Sequence, residues 1–343
     1  MKLVNKIQHN DWVTNIKYTD KRLYTTQNDQ IQNFQPKQVP FPTKSLYKEN
    51  VTVFDLVYSD KLQEQITCMD VLQDKNMIAL GFVNKFIKII DTNNGTQYHI
   101  FQCSEAVNVL KFMHIKQGKN KQDLCYLFAG GMDNKIRVFD LFMGIQINVI
   151  QQHQYWIQNI VYDNKKEYLA SGDQNGYMNL FKIQVNEVPT SVQKYTMNFQ
   201  HLKTLRNSKN YYLAIRFQEF KKEKLLKLYT VSSDKILMIY DNISDKKENL
   251  MLENPVKIEL PQDLYIGQFN SNCTYFIYGT SKGEVNFFDV NKKQNIFNIQ
   301  AHEKSLFCLQ ISDQQDQILT GGMDKQAKIW ELQPEFCADQ VNL

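Results

Sequence analysis

Apolar and polar positions alternate in short runs along this chain. The stretch Gln300–Glu331, QAHEKSLFCLQISDQQDQILTGGMDKQAKIWE, shows the unit most plainly. An alternating run (Leu306, Cys308, Leu309, Ile311) leads to a turn at Ser312–Gln317 and a second run (Ile318, Leu319, Thr320, Gly321, Gly322). Met323-Asp324-Lys325 then precedes a third run, Ala327-Lys328-Ile329-Trp330-Glu331. Strand side chains point to opposite faces with a period of two, so runs of this kind separated by turn residues predict antiparallel strands.

The unit recurs. Ala129–Asp140, AGGMDNKIRVFD, matches TGGMDKQAKIWE position by position, and His153 stands as far ahead of Asn175 as His302 does of Asp324. Runs closing at Phe34, Ile90-Asp91, Phe139-Asp140, Phe181-Lys182, Tyr240-Asp241, Phe288-Asp289 and Trp330-Glu331 divide the chain into seven units. A His about twenty residues ahead of a strand that closes on an aromatic and an acid resembles the WD40-repeat family. The resemblance implies an all-β, seven-bladed propeller over residues 1–332, with a tail at 333–343. It also implies that Lys2–Gln8, which alternates but has no partner strands of its own, closes the ring as a strand of the last blade.

Local signals place the remaining segments. Gln35–Asn50, rich in Pro and without a period, is expected as a loop before a strand Val51–Tyr58. In blade 4, Ser191–Phe199 is expected as the fourth strand and His201–Asn210 as a long turn. Pro255–Leu260 is assigned to blade 6.

Within the family, a turn His, a hydroxyl residue, a turn Asp and the closing Trp form one buried hydrogen-bonded set. Carried over by position, only blade 7 has all four, as His302, Thr320, Asp324 and Trp330. Blade 4 departs with Asn175 and Phe181, blade 3 lacks the turn His, and blade 2 has Asn84 and Ile90. Those blades are expected to rely on apolar packing. The His–Thr–Asp set resembles a catalytic triad, but a geometry that recurs with the repeat is structural. No Gly-x-Ser-x-Gly, phosphate-loop, His-Glu-x-x-His or EF-hand pattern is present, so the expectation is a protein without enzymatic activity, cofactor, metal or small-molecule substrate.

Composition sharpens this only at the edges. Hydrophobic residues at 43% and charged residues at 22% are ordinary for a globular chain. No apolar window reaches the length of a membrane span, and the first residues lack a signal-peptide core, so a cytoplasmic or nuclear location without membrane insertion is expected. The six cysteines form no C-x-x-C pair and read as reduced core thiols.

Strands that run alternately up and down sort the loops onto two faces. One should carry Trp12, Phe82, Met132, Tyr155, Trp156 and Met323 as candidate contacts for a partner polypeptide. The other gathers Lys116, Lys119, Lys121, Lys165, Lys166, Lys221, Lys222, Lys224, Lys292 and Lys293, a basic face hidden by a net charge of only +4. The expected function is that of a protein–protein interaction scaffold or subunit of a multiprotein assembly. The alternative is an RNA-associated subunit, or one that binds an acidic protein surface, through the lysines. Ubiquitin-ligase receptors of the family carry Trp-Asp-x-Arg, and no closing strand here is followed by that Arg.

Overall fold

Alternation becomes strand pairing throughout. The computed structural model describes residues 1–19, 22–40, 50–62, 64–116, 123–187, 195–206, 208–220, 225–241, 243, 255–261, 263–312 and 314–333. Among these, twenty-eight strands form seven four-stranded antiparallel sheets, and the fold class is the all-β, seven-bladed propeller. Each closing residue read from the sequence lies in the third strand of its sheet except Asp241, which directly follows it, and among the described residues no helix is long and apolar enough to cross a membrane. By contact density the chain divides into two units.

The first unit, Met1–Ile66 with Thr92–Thr96 and Asp263–Leu343, contains blades 1, 6 and 7. Lys2–Gln8 pairs antiparallel with Gln326–Glu331, with a bulge between Leu3 and Asn5, and so supplies the fourth strand of blade 7 as expected. Val13, Ile16, Leu23 and Phe34 of blade 1 pack against Cys308, Leu319, Ala327 and Ile329 of blade 7. Gly321 makes that packing possible, because a Cβ there would lie 2.6 Å from Val13 Cγ1.

Blade 1 corrects one expectation. The segment read as a loop is strand at both ends: Gln30–Pro40 pairs with Asn50–Lys61 in a long hairpin, and 41–49 lie outside the described residues. Among the described residues this strand has no pairing partner on its other side beyond Phe34, so Pro36 and Pro40 fall where a missing N–H is tolerated.

The second unit, Thr67–Asp91 with Gln97–Gln262, contains blades 2 to 5. Three apolar clusters fill the spaces between successive sheets, including Ala79, Val107 and Phe139 between blades 2 and 3. Phe128, Ile157 and Phe181 lie between blades 3 and 4, and Leu180, Tyr212 and Leu228 between blades 4 and 5. Gly130 repeats the role of Gly321, since its Cβ would meet Ile157 Cγ2 at 2.7 Å.

Two further assignments are corrected in this unit. The fourth strand of blade 4 is Tyr195–Arg206, paired along its whole length with Tyr177–Glu187, so His201–Arg206 is strand and not turn. Val256–Glu259 is the fourth strand of blade 5, paired with Ile236–Tyr240, and not part of blade 6. A four-residue alternating segment fits either blade by pattern; the four-strand count of blade 6, complete without it, decides.

Candidate functional site

Antiparallel register brings one position of each second strand to the same buried slot beside the turn. In blade 7 that position is Gly322, and the slot holds the complete set predicted from the sequence. Trp330 Nε1 donates to Thr320 Oγ1 at 2.9 Å, and the Thr320 hydroxyl faces His302 Nε2 at 2.8 Å. His302 Nδ1 lies 2.8 Å from Asp324 Oδ1. A carboxylate can only accept, so Nδ1 carries the ring proton, Nε2 accepts from the hydroxyl, and the chain of donors runs one way from Trp330 to Asp324. Burial holds the His302 pKa below its ordinary value although Asp324 opposes the shift.

Blade 4 fills the same slot differently, and here apolar packing is not the whole account. His153 Nδ1 donates to Asp173 Oδ2 at 3.1 Å, and its Nε2 accepts from Ser171 Oγ at 2.7 Å. Asp173 Oδ1 accepts the backbone N–H groups of Asn175 and Tyr177 at 3.0 and 2.9 Å. The carboxylate therefore comes from Asp173, in the Gly322 position, and not from the turn residue Asn175. Gly322 shows why this works: a Cβ built there points at His302 Nδ1, 2.9 Å away.

Other blades use further substitutes. In blade 3, Ser104 stands where the His would be, accepts from Arg137 at 2.8 Å, and Arg137 pairs with Asp133 at 2.6 Å with both side chains buried. In blade 5, Ser208 takes the His place and donates to Asp234 at 3.1 Å. In blade 1, Gln27 accepts the N–H groups of Asn10 and Asp11 at 3.1 and 3.0 Å, while His9 packs edge-on against Phe34. With no carboxylate beside it, the His9 pKa is lowered to about 4, by burial first and against the opposing influence of the Gln32 side chain.

Two consequences follow for chemistry. The hydroxyls of Ser171 and Thr320 are wholly buried, so neither is presented to solvent as a nucleophile would be. The slot also accounts for Phe82, expected as an exposed partner contact. Phe82 occupies the Gly322 position in blade 2, is wholly buried, and has Lys88 Nζ 5.4 Å from its ring centre.

The other expected contacts divide by exposure. Trp12, Tyr155 and Trp156 are exposed, and Met132 and Met323 are half-buried. In the first unit Trp12 belongs to a contiguous aromatic patch, with Phe307 5.6 Å away and Tyr265, itself exposed, 6.0 Å beyond Phe307. Phe307 and Tyr265 escaped the sequence reading. The signal was present, since Leu306 and Cys308 both point inward across a bulge and Phe307 is the extra residue between them.

In the second unit, Tyr155 stacks on Tyr177 at 5.9 Å, and Arg206 lies over the Tyr177 ring at 4.8 Å. Beside them opens a cleft of about 200 Å³ lined by Gln152, His153, Gln154, Asp173, Tyr177, Asn179 and Thr204. Asn179 Oδ1 accepts from Thr204 Oγ1 at 2.5 Å, and His201 Nε2 lies 3.0 Å from the same hydroxyl.

Five of the ten lysines expected on the basic face are described. Lys119, Lys121, Lys221, Lys222 and Lys224 lie outside the described residues. Of the others, Lys116 pairs with Asp74 at 2.7 Å, Lys165 with Glu219 at 2.7 Å and Lys292 with Asp289 at 3.7 Å. Lys166 and Lys293 occupy left-handed turn positions. No disulfide joins the described cysteines, and burial pushes the Cys68 thiol up to about 12 and Cys103 to about 11. No cluster of metal-ligating side chains occurs among the described residues.

Comparison with known proteins agrees with the fold. Residues 293–331 match the family described as WD domain, G-beta repeat. Among solved structures, the chain is similar to the computationally designed Ika8 protein, with a TM-score of 0.66 at 13% identity, covering 97% of this chain and 100% of that one. No curated protein matches the sequence.

Proposed function

We propose that the chain is a non-enzymatic platform for protein–protein interaction and a subunit of a larger assembly. The observation that carries this reading is the patch formed by Trp12, Phe307 and Tyr265, in which two large aromatics are exposed where each could have been buried. Aromatic side chains at a surface cost the free protein hydration and supply large contact area with few rotamers, which is why they dominate interface energetics. A propeller built on buried polar slots supplies the rigidity that such a surface needs, and WD40 propellers in general bind other proteins. The acidic partners of Lys116, Lys165 and Lys292 favour a protein partner over RNA, because paired lysines release fewer counterions on binding a phosphate backbone.

Affinity purification of the tagged chain with and without RNase tests this. A stoichiometric protein set that survives RNase and is lost with Trp12→Ala and Tyr265→Ala together is the expected result. Loss of the set on RNase treatment alone would overturn it in favour of a ribonucleoprotein.

A further inference from the structure

The blade 4 cleft opens beside the buried His153–Asp173 set, and the groups around it converge on one kind of occupant. Its floor is Tyr177 and Asn179 on one strand, and opposite them in register stand Arg206 and Thr204 on the next. Gln152–Gln154 forms the wall, propped by Asn134 of blade 3, whose Nδ2 donates to the Gln154 carbonyl at 2.9 Å. Buried Asp173 at the base is already committed, to His153 and to two backbone N–H groups. Asn179 likewise holds Thr204.

What is uncommitted is at the mouth. Arg206 is exposed, sits over the Tyr177 ring with its guanidinium carbon 4.8 Å from the ring centre, and has no carboxylate partner among the described residues. A guanidinium held on a ring presents its donors as a planar fork, the geometry that matches a carboxylate with two parallel hydrogen bonds. The cavity of about 200 Å³ admits one side chain and falls below the roughly 300 Å³ at which small-molecule pockets begin. Exposed Tyr155, stacked on the cleft residue Tyr177, and its exposed neighbour in sequence Trp156 supply apolar surface on which a neighbouring residue of the same partner chain can lie.

We propose that this cleft receives an acidic side chain of a partner polypeptide, with Arg206 as its ion-pair partner and Tyr155–Trp156 as the adjoining contact. The proposal rests on the platform reading and gives it a second docking point with a stated chemistry. The carboxylate enters from solvent past Arg206, stays above Asp173, and is kept from that charge by the imidazole and amide donors that already saturate it.

The test is selection of a displayed library of random heptapeptides on the whole chain, followed by affinity measurement of the recovered peptides. Recovered sequences should share one Asp or Glu. Exchange of that residue for its amide, or Arg206→Gln in the protein, should each weaken binding about tenfold, with Arg206→Lys intermediate because it keeps the charge and loses the fork. The melting temperature of each variant guards against loss of fold, which an exposed Arg should not cause.

Recovery of peptides without a shared acid, an empty selection, or equal binding by Arg206→Gln would overturn the proposal. So would Arg206-dependent binding of a labelled oligouridylate in place of acidic peptides. Trp12→Ala with Tyr265→Ala should leave the selection unchanged, so a protein that still selects acidic peptides but purifies without partners would fail the platform reading alone.

Discussion

The position of the blade 4 carboxylate can be tested by moving it. The repeat pattern assigns the acid to the turn, at Asn175, whereas the structure puts it two residues earlier, at Asp173. In Asp173→Ala, His153 and the N–H groups of Asn175 and Tyr177 lose their acceptor inside a site where Asp173 is 1% exposed. Each stranded donor costs on the order of 1 kcal/mol, more for bonds to a charged group, so the total should be about 3–5 kcal/mol. Asn175→Asp alone should not stabilise, because it sets a second carboxylate beside the first.

The double change Asp173→Gly with Asn175→Asp reproduces the blade 7 pair, Gly322 and Asp324, and should recover at least half of what Asp173→Ala loses. Thermal and denaturant unfolding give the ranking, and hydrogen exchange at the Tyr177 amide localises it. A melt of Asp173→Ala within a degree of the unaltered protein, or a gain from Asn175→Asp alone, would refute the slot as described.

Three more outcomes are expected. Trp330→Phe keeps the ring but removes the donor to Thr320, and should cost about 1–2 kcal/mol in unfolding free energy. Because the His9 pKa falls to about 4 when folded while the unfolded chain keeps an ordinary value near 6.5, the unfolded state binds the proton more tightly. Stability should therefore decline as pH drops from about 6.5 to about 4, by roughly 3 kcal/mol from this residue, and His9→Gln should remove that part of the slope in urea titrations. Removal of residues 1–8 should raise hydrogen exchange at Gln326–Glu331 before any other strand, since Lys2–Gln8 is its fourth-strand partner.

Much of the architecture was legible because it depends on period and count. The seven third strands follow from spacing along the chain, and the N-terminal strand in blade 7 and the His302 set from the WD40 resemblance that this spacing carries. Where a residue depends on a partner distant in sequence, spacing was silent. Asp173 looked like an ordinary strand residue because nothing local says that His153 lies across from it, and Arg137 with Asp133 was hidden by the missing His of blade 3. Phe82 misled in the opposite direction, since its place at a strand end suggested exposure while the period of two carried it into the slot. The prolines of Gln35–Pro40 suggested a loop because their cost in a sheet was weighed without knowing that one edge there has no pairing partner among the described residues.

The pairing of Lys2–Gln8 with Gln326–Glu331 sets a clock on assembly. Gln8 and the carbonyl it reaches on Lys325 are 317 positions apart, so at 5–20 residues per second the first strand is synthesised on the order of 15–60 seconds before its partner exists. Throughout that time it is an open edge available to any other strand. Its composition suits the wait: Lys2, Asn5, Lys6 and Gln8 interrupt Leu3, Val4 and Ile7, and charge along an edge is what discourages pairing with the wrong chain. The seal of the last blade thus joins two strands made far apart in time, the earlier kept soluble until the later arrives.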